Sequence, residues 1–220
     1  MTSATVPLLY SYRRCPYAMR ARMALLVAGI AFDAHEIVLR DKPAEMLALS
    51  PKGTVPVLRL PDGRVLEQSL DIVQWAFSSQ DPEGWWTRAQ GAANLALLSA
   101  CDGPFKQHLD RYKYPERFEG VDRTQPRDAA VETLLKPLDA QLQRSAQLGG
   151  QTPCATDIAI FPFVRQFAAV EPAWFAQLRL PALKAWLADW LSHPLFEAAM
   201  VKLPTRQVVR FPTVWQRGGA

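Results

Sequence analysis

Long apolar runs and paired cysteines are both missing from this 220-residue chain. The longest uninterrupted apolar stretch runs from Met23 to Phe32, far short of the ~20 residues of a membrane-spanning helix, so none is expected. The first nine residues carry no basic charge and no small-residue cleavage site, so we expect no signal peptide. An odd, widely spaced set of cysteines favours a reducing compartment, and we expect a cytoplasmic protein: Cys15, Cys101 and Cys154.

Acidic residues are missing from the first 32 residues, which contain four arginines: Arg13, Arg14, Arg20 and Arg22. This window accounts for the whole net charge of +4, because the rest of the chain has 21 basic and 21 acidic residues. The excess therefore surrounds Cys15. A neutral remainder attracts phosphates weakly, so no nucleic-acid partner is expected, although Lys106 to Arg117 mixes basic and aromatic residues.

Histidines are equally sparse. No two of the three, His35, His108 and His193, stand at the spacing of metal ligands. We therefore predict no metal site.

The first 80 residues alternate strand and helix patterns in the order βαβαββα, which predicts a mixed four-stranded sheet with flanking helices. Pro61-Asp-Gly63 has the composition of a turn between two strands. Gln80 to Gly84 is polar and rich in helix breakers, and the segments beyond it are helical in pattern. We expect an α/β domain over residues 1–80, a linker and the start of a helix over 81–92, and an all-helical domain over 93–220.

Cys15 lies between the first strand and the first helix, with Pro16 suited to the first helical turn. At that position the positive end of the helix dipole faces the thiol, and nearby arginines add to its effect. Both influences lower the pKa of a cysteine, and the thiolate is the reactive form. We therefore predict a reactive Cys15 rather than a buried hydrophobe. Ala18 stands where a local dithiol pair would need a second cysteine, so redox chemistry would need an external thiol.

Four motifs occur in order along most of the chain: Cys15-Pro-Tyr-Ala18, Thr54-Val-Pro-Val57, Gln68-Ser69 and Asp157-Ile-Ala-Ile-Phe-Pro162. With them the chain resembles the cytosolic glutathione S-transferase superfamily, in particular its cysteine-type, omega-like bacterial members. The resemblance implies a thioredoxin-like N-terminal domain followed by a helical bundle. It also implies glutathione as co-substrate and a homodimer formed through the two domains of opposite subunits.

The resemblance also implies binding roles for several residues. Val55 and Pro56 would share a cis peptide bond that lets the Val55 backbone pair with the cysteinyl amide of glutathione. Gln68 and Ser69 would hold the γ-glutamyl end, although relatives often have Glu in place of Gln68, and Ser69 could instead cap its helix. Lys42 would meet the glycyl carboxylate or be a solvated loop lysine.

Asp157 matches the family's buried helix-capping aspartate, a folding element. The Ser or Thr usual three positions earlier is replaced by Cys154, a poorer cap, and Thr152 could cap one turn earlier. Cys154 and Cys101 are interpreted as structural. For the apolar acceptor pocket the candidates are Tyr17, Phe105, Tyr112 and Trp174.

The function predicted from the residues and the resemblance is glutathione-dependent thiol transfer or reduction through Cys15, on a small disulfide or electrophilic substrate. Classical conjugation to electrophiles and a glutathione-binding interaction module without turnover are the alternatives. A membrane-inserting branch of the superfamily shares a similar Cys-Pro turn, but Arg20 and Arg22 make spanning costly for the helix that follows. We therefore expect no membrane partner.

Overall fold

The structure, a computed structural model, describes residues 6–120 and 122–212. This part of the chain divides into two units, one formed by residues 6–83 together with 192–212 and the other by residues 84–191. The predicted all-helical domain over 93–220 is therefore too long at its C-terminal end, because residues 192–212 pack with the first unit. In the described residues no helix is long and apolar enough to cross a membrane.

The first unit begins with the predicted order βαβαββα. Its elements are β1 (Leu8–Ser11), α1 (Pro16–Val27), β2 (Asp33–Glu36), α2 (Ala44–Leu49), β3 (Val57–Arg59), β4 (Val65–Leu66) and α3 (Ser69–Ser79). Pro16 occupies the first turn of α1, as predicted. Gly29 follows that helix with a φ of +69°, a conformation that glycine adopts without steric cost. Pro61 to Gly63 forms the expected turn, in which the Gly63 N–H donates to the Leu60 carbonyl.

The sheet is mixed, as predicted, but it has five strands instead of four, in the order β4-β3-β1-β2-β5. β1 runs parallel to β2 and antiparallel to β3. The fifth strand, β5 (Val208–Arg210), pairs antiparallel with the outer edge of β2. With three residues it is too short for an alternating pattern to reveal it, so only the free edge of β2 makes it a strand.

Helix α1 is buried along almost its whole length, with Tyr17 its only residue that is not. It packs against α3. The α2 side of the sheet forms a separate apolar cluster made of Leu8, Tyr10, Ile37, Met46 and Val57. Burial of α1 carries Arg20 and Arg22 out of solvent, both at 0% exposure.

The second unit is helical, as predicted. Its helices are α4 (Trp85–Ala89), α5 (Ala92–Ala100), α6 (Lys106–Lys113), α7 (Thr124–Ala130), α8 (Lys136–Leu142), α9 (Ala155–Ala168), α10 (Pro172–Gln177) and α11 (Pro181–Leu191). A kink at Gly103 (φ −93°, ψ −108°), followed by Pro104, separates α5 from α6, whereas a π-helical turn joins α7 to α8. Helices α4 and α5 are separate because the backbone of Gly91 between them is extended (φ −65°, ψ 143°).

Two short helices carry no recognisable periodicity in the sequence, α10 and α12 (Pro194–Ala199). Each has proline in its first turn and only six residues, fewer than two helical turns. Helix α12 belongs to the first unit and packs against α1. The chain then passes along β2 as β5, so the sheet and the Cys15 helix both contact residues near the end of the sequence.

Candidate active site

Cys15 is the N-cap residue of α1, with φ −78° and ψ 122°. Its N–H donates to the Tyr12 carbonyl at 2.9 Å, which holds the turn after β1. The side chain is half-buried. The first turn of α1 contains no acidic residue, so the positive end of the helix dipole beside the thiol has no carboxylate of that turn to offset it.

The loop before β3 lies beside this thiol. The Cys15 Sγ is 3.6 Å from the Val55 carbonyl oxygen. The Val55–Pro56 peptide bond is cis, as the resemblance implies. Residues 40 positions apart in sequence are therefore brought together at one point of the first unit.

Helix α3 presents Gln68 and Ser69 at its N-terminus. Gln68 is the N-cap residue, but no side-chain hydrogen bond caps this helix. Ser69 is 5% exposed, and its Oγ accepts a hydrogen bond from the Arg20 guanidinium at 3.4 Å. The neighbouring Glu67 carboxylate accepts from the Ser50 hydroxyl, and the Glu67 carbonyl accepts from Lys52 Nζ at 3.1 Å.

Lys42 lies across the turn that leads into the Val55–Pro56 loop. Gly53 in this turn has a φ of +62°, and a Cβ added there would be 3.5 Å from Lys42 Nζ. The Lys42 side chain therefore lies beside Gly53, the residue that precedes Thr54. Lys42 is itself exposed.

The four arginines that surround Cys15 in the sequence have different environments in the structure. Arg14 is exposed, whereas Arg20 and Arg22 are fully buried. Arg22 forms a buried ion pair with Glu36. The Glu36 carboxylate therefore offsets part of the arginine charge, and sequence reasoning missed it because it lies outside the acid-free window of 32 residues. The β1–β2 register, which pairs Ser11 with Glu36, places it there.

The side chains that commonly bind metal ions are dispersed in this structure. Among residues 6–120 and 122–212, no group of three or more His, Cys, Asp or Glu side chains is placed to hold an ion.

Comparisons with known proteins identify the family. Residues 9–84 match the model described as glutathione S-transferase, N-terminal domain, and residues 106–189 match glutathione S-transferase, C-terminal domain. The chain belongs to the glutathione S-transferase family. It is similar to glutathione S-transferase omega-1 of Mus musculus, with 25% identity over 90% of this chain and 81% of the mouse protein. Glutaredoxin 2 of Escherichia coli is 26% identical over 74% of this chain and 85% of its own length.

Solved structures agree on the glutathione S-transferase fold. A glutathione transferase from Pseudomonas putida, solved with one glutathione disulfide bound per subunit, has a TM-score of 0.71. Its sequence is 19% identical, and the match covers 91% of this chain and 93% of that one. Thioredoxin-like and helical parts therefore follow one another here as in other transferases of the family.

The predicted acceptor residues of this transferase are distributed over both units. Tyr17 is half-buried on α1, with the Arg20 guanidinium 5.5 Å from its ring centroid. Phe105 and Tyr112 belong to the helical unit and are 0% exposed. Both rings pack against Phe167.

Their burial contradicts a role for Phe105 and Tyr112 as walls of an open pocket. The Tyr112 hydroxyl donates to Glu171 at 2.8 Å, and burial with this contact raises the pKa of the phenol. Trp174 remains half-buried, with Arg127 over its ring at 4.1 Å. Aromatic residues at helical spacing fit a core as well as a pocket, and the sequence alone does not separate the two.

Asp157 has the structural environment expected of the family's capping aspartate. It is fully buried and accepts from the N–H groups of Cys154 and Leu148, at 2.8 and 3.0 Å, and from the Trp186 indole at 2.9 Å. Cys154, not Thr152, is the N-cap residue of α9. Burial, with a smaller effect from Asp157, raises the pKa of the Cys154 thiol to about 12. At neutral pH this thiol is protonated.

Proposed function

We propose that the protein is a glutathione-dependent thioltransferase in which Cys15 is the nucleophile. The carrying observation is the half-buried Cys15 Sγ at an acid-free helix N-terminus, 3.6 Å from the Val55 carbonyl of a cis-proline loop. Family membership supports glutathione-dependent transferase or thiol-reductase chemistry in general. The similarity to omega-1 transferase and to glutaredoxin 2 supports thiol transfer in particular.

The proposed glutathione position follows from the residues around this thiol. The Val55 backbone would pair with the cysteinyl amide of the ligand, and Gln68 with Ser69 would bind its γ-glutamyl end. The N-terminus of α3 favours a carboxylate there, because its dipole is positive at that end. Lys42, held across Gly53 next to the same loop, would meet the glycyl carboxylate.

The proposed reaction has two steps. The Cys15 thiolate attacks the glutathionyl sulfur of a mixed disulfide, the substrate S–S bond breaks, and the substrate leaves as a thiolate that takes up a proton. A second glutathione thiolate then attacks the Cys15–glutathione disulfide, releasing glutathione disulfide and regenerating the Cys15 thiolate. The substrate disulfide is reduced, and two glutathione sulfurs end as glutathione disulfide. We also propose a cytoplasmic homodimer, consistent with the family.

Mass spectrometry after treatment with glutathione disulfide tests this proposal. We expect one glutathionyl group, mapped to Cys15 and absent from Cys101 and Cys154. Cys15→Ala should reduce turnover of a glutathionylated substrate by at least ~100-fold, because no other thiol can form the intermediate. The matched control Cys101→Ala should retain turnover.

Other outcomes identify the alternatives. Full thioltransferase activity in Cys15→Ala would exclude the proposed mechanism. Retention on immobilised glutathione with no turnover of any disulfide would indicate a binding module. Conjugation of an electrophile without a Cys15 adduct would indicate classical transferase chemistry.

A further inference from the structure

Glu36, at the end of β2, connects Arg22 to the turn that carries Cys15. One carboxylate oxygen of Glu36 pairs with the Arg22 guanidinium. The other accepts the backbone N–H of Arg13 at 2.6 Å, two residues before Cys15. The single buried side chain of Glu36 thus binds both the Arg22 guanidinium on α1 and a backbone N–H of the Cys15 turn.

Arg22 has a fixed position because its remaining donors are also engaged. Its Nε donates to Ser11 Oγ at 2.8 Å, and a terminal nitrogen donates to the Ala199 carbonyl at 3.1 Å. The Phe211 ring covers the guanidinium at 5.4 Å. Long side chains normally lose rotamer entropy when ordered, and here four contacts maintain one orientation.

The C-terminal segment, defined here as residues 194–212, surrounds the Glu36–Arg22 pair. Besides the Ala199 and Phe211 contacts with Arg22, the Met200 carbonyl accepts from the Arg13 guanidinium at 3.4 Å. The same segment is fastened to β2, where the Arg206 N–H donates to the Glu36 carbonyl at 3.2 Å. Phe211 is fully buried and stacks on Phe32. Residues from the two ends of the sequence thus enclose the pair.

We propose that Glu36 is a positioning residue for Cys15: it fixes the turn through Arg13 and sets the charge behind the thiol through Arg22, with the C-terminal segment completing its site. The inference rests on the proposed function only for the reaction that the thiol serves. The positioning itself concerns Cys15 whatever its substrate. Glu36 acts on the thiol indirectly, because its two carboxylate oxygens are engaged by Arg22 and by the Arg13 N–H.

Electrostatics support this arrangement. Burial lowers the pKa of Arg22, while Glu36 raises it most among its neighbours, and the Cys15 thiol also acts on it. The charged and titratable groups around the turn come from β1 and its turn, from α1 and from β2; the loop before β3 and α12 contribute carbonyl oxygens. Among these groups are Tyr12, Arg13, Arg14, Tyr17, Arg20, Arg22 and Glu36.

The test is the pH profile of Cys15 alkylation by iodoacetamide, followed by peptide mass spectrometry. Glu36→Gln removes the negative charge, so Arg22 acts on the thiol without compensation. The profile midpoint should move down by about 0.5 pH unit. Adding Arg22→Gln to this variant should reverse the shift, because it removes the positive charge as well. A downward shift of the midpoint in Glu36→Gln that Arg22→Gln then reverses is not expected if Glu36 only stabilises the fold.

Two further variants complete the design. Glu36→Asp keeps the charge but shortens the side chain, so it cannot hold Arg22 and the Arg13 N–H together. The midpoint should stay, while thioltransferase turnover falls about tenfold. Asp33→Asn is the matched control, since it removes a carboxylate from the same strand, where Asp33 pairs with Arg210. Asp33→Asn should change neither the midpoint of Cys15 alkylation nor the thioltransferase turnover.

Specific results would overturn the proposal. A midpoint in Glu36→Gln equal to that of Asp33→Asn, or full turnover in Glu36→Asp, excludes positioning by Glu36. If Glu36→Gln does not fold, Glu36→Asp still decides the question through its turnover. Alkylation needs no glutathione, so an unchanged midpoint with a normal glutathione adduct refutes only this inference. The expected shift with no adduct refutes only the proposed function.

Discussion

Two cysteines of this protein occupy the same local position, the N-cap of an α-helix, and their environments are opposite. Cys15 precedes α1, is half-buried and has no acid in the following turn. Cys154 precedes α9, is fully buried and has Asp157 as the third residue of the helix. The corresponding residue after Cys15 is Ala18. Each thiol faces the positive end of a helix dipole, so the dipole cannot by itself explain a difference in reactivity between the two thiols.

The comparison separates three influences on a thiol. A helix N-terminus favours the thiolate, burial opposes it, and a nearby carboxylate opposes it further. At Cys154 the last two prevail and raise the pKa to about 12. Near Cys15 the Glu36 carboxylate is engaged by Arg22. We therefore expect the two thiols to differ in reactivity through what surrounds each helix end.

The largest expected effect is the alkylation contrast itself. At pH 8, a thiol with a pKa of about 12 has about one molecule in ten thousand as thiolate, and burial also restricts access. Native protein treated with iodoacetamide should be modified at Cys15 at least ~1,000-fold faster than at Cys154. Time-resolved peptide mass spectrometry measures both rates, with urea-unfolded protein as the control in which they should converge. Comparable alkylation rates at Cys15 and Cys154 in native protein would show that the two thiols do not differ in reactivity.

The next effect concerns Asp157, which accepts three hydrogen bonds at the N-terminus of α9. Asp157→Ala leaves the buried donors of Leu148, Cys154 and Trp186 without their acceptor, so the free energy of unfolding should fall by at least about 3 kcal/mol. Chemical denaturation at neutral pH measures it.

Asp139→Ala is the control for this variant. Asp139 accepts the backbone N–H of Leu183 in α11 at 2.9 Å and the side-chain amide of the exposed Gln143 at 2.7 Å, and its loss should cost about 1–2 kcal/mol. Equal losses in the two variants would mean that Asp157 is an ordinary cap.

The smallest effect is expected when α1 receives an acidic residue at the position that Asp157 has in α9. Ala18→Asp would place a carboxylate at the third residue of α1, as Asp157 is in α9, and should slow Cys15 alkylation at pH 7 by about tenfold relative to Ala18→Asn. The asparagine variant has nearly the same shape and therefore isolates the charge. Thermal unfolding of both variants checks that Ala18, which is fully buried, tolerates the change. Equal alkylation rates would show that the first-turn acid does not matter.

Local features of the first unit were predictable from sequence because they depend on residues close together in the chain. The order βαβαββα, proline at the start of α1, glycine after it and the turn at Gly63 all follow from propensities and φ preferences. The cis bond at Val55–Pro56 followed from family resemblance, not from local chemistry. The binding roles of Lys42, Val55, Pro56, Gln68 and Ser69 stay predictions.

Other features escaped prediction because they depend on distant partners. Arg20 and Arg22 stand among Ala, Met and Leu in a helix that has no polar side, and only the surrounding elements decide that they are buried. The fifth strand exists because β2 offers an edge. Phe105 and Tyr112 were candidates for a pocket, and packing against Phe167 makes them core residues.

The sequence by itself determined the kind of position that Cys15 occupies, a cysteine before a proline-initiated helix in an acid-free stretch, because that context lies within a few residues. The tertiary structure decided what surrounds the position. It brought Glu36 to Arg22 across 14 residues and the Ala199 carbonyl to the same guanidinium across 177. Burial and long-range pairing, which no local pattern encodes, set the charge that Cys15 experiences.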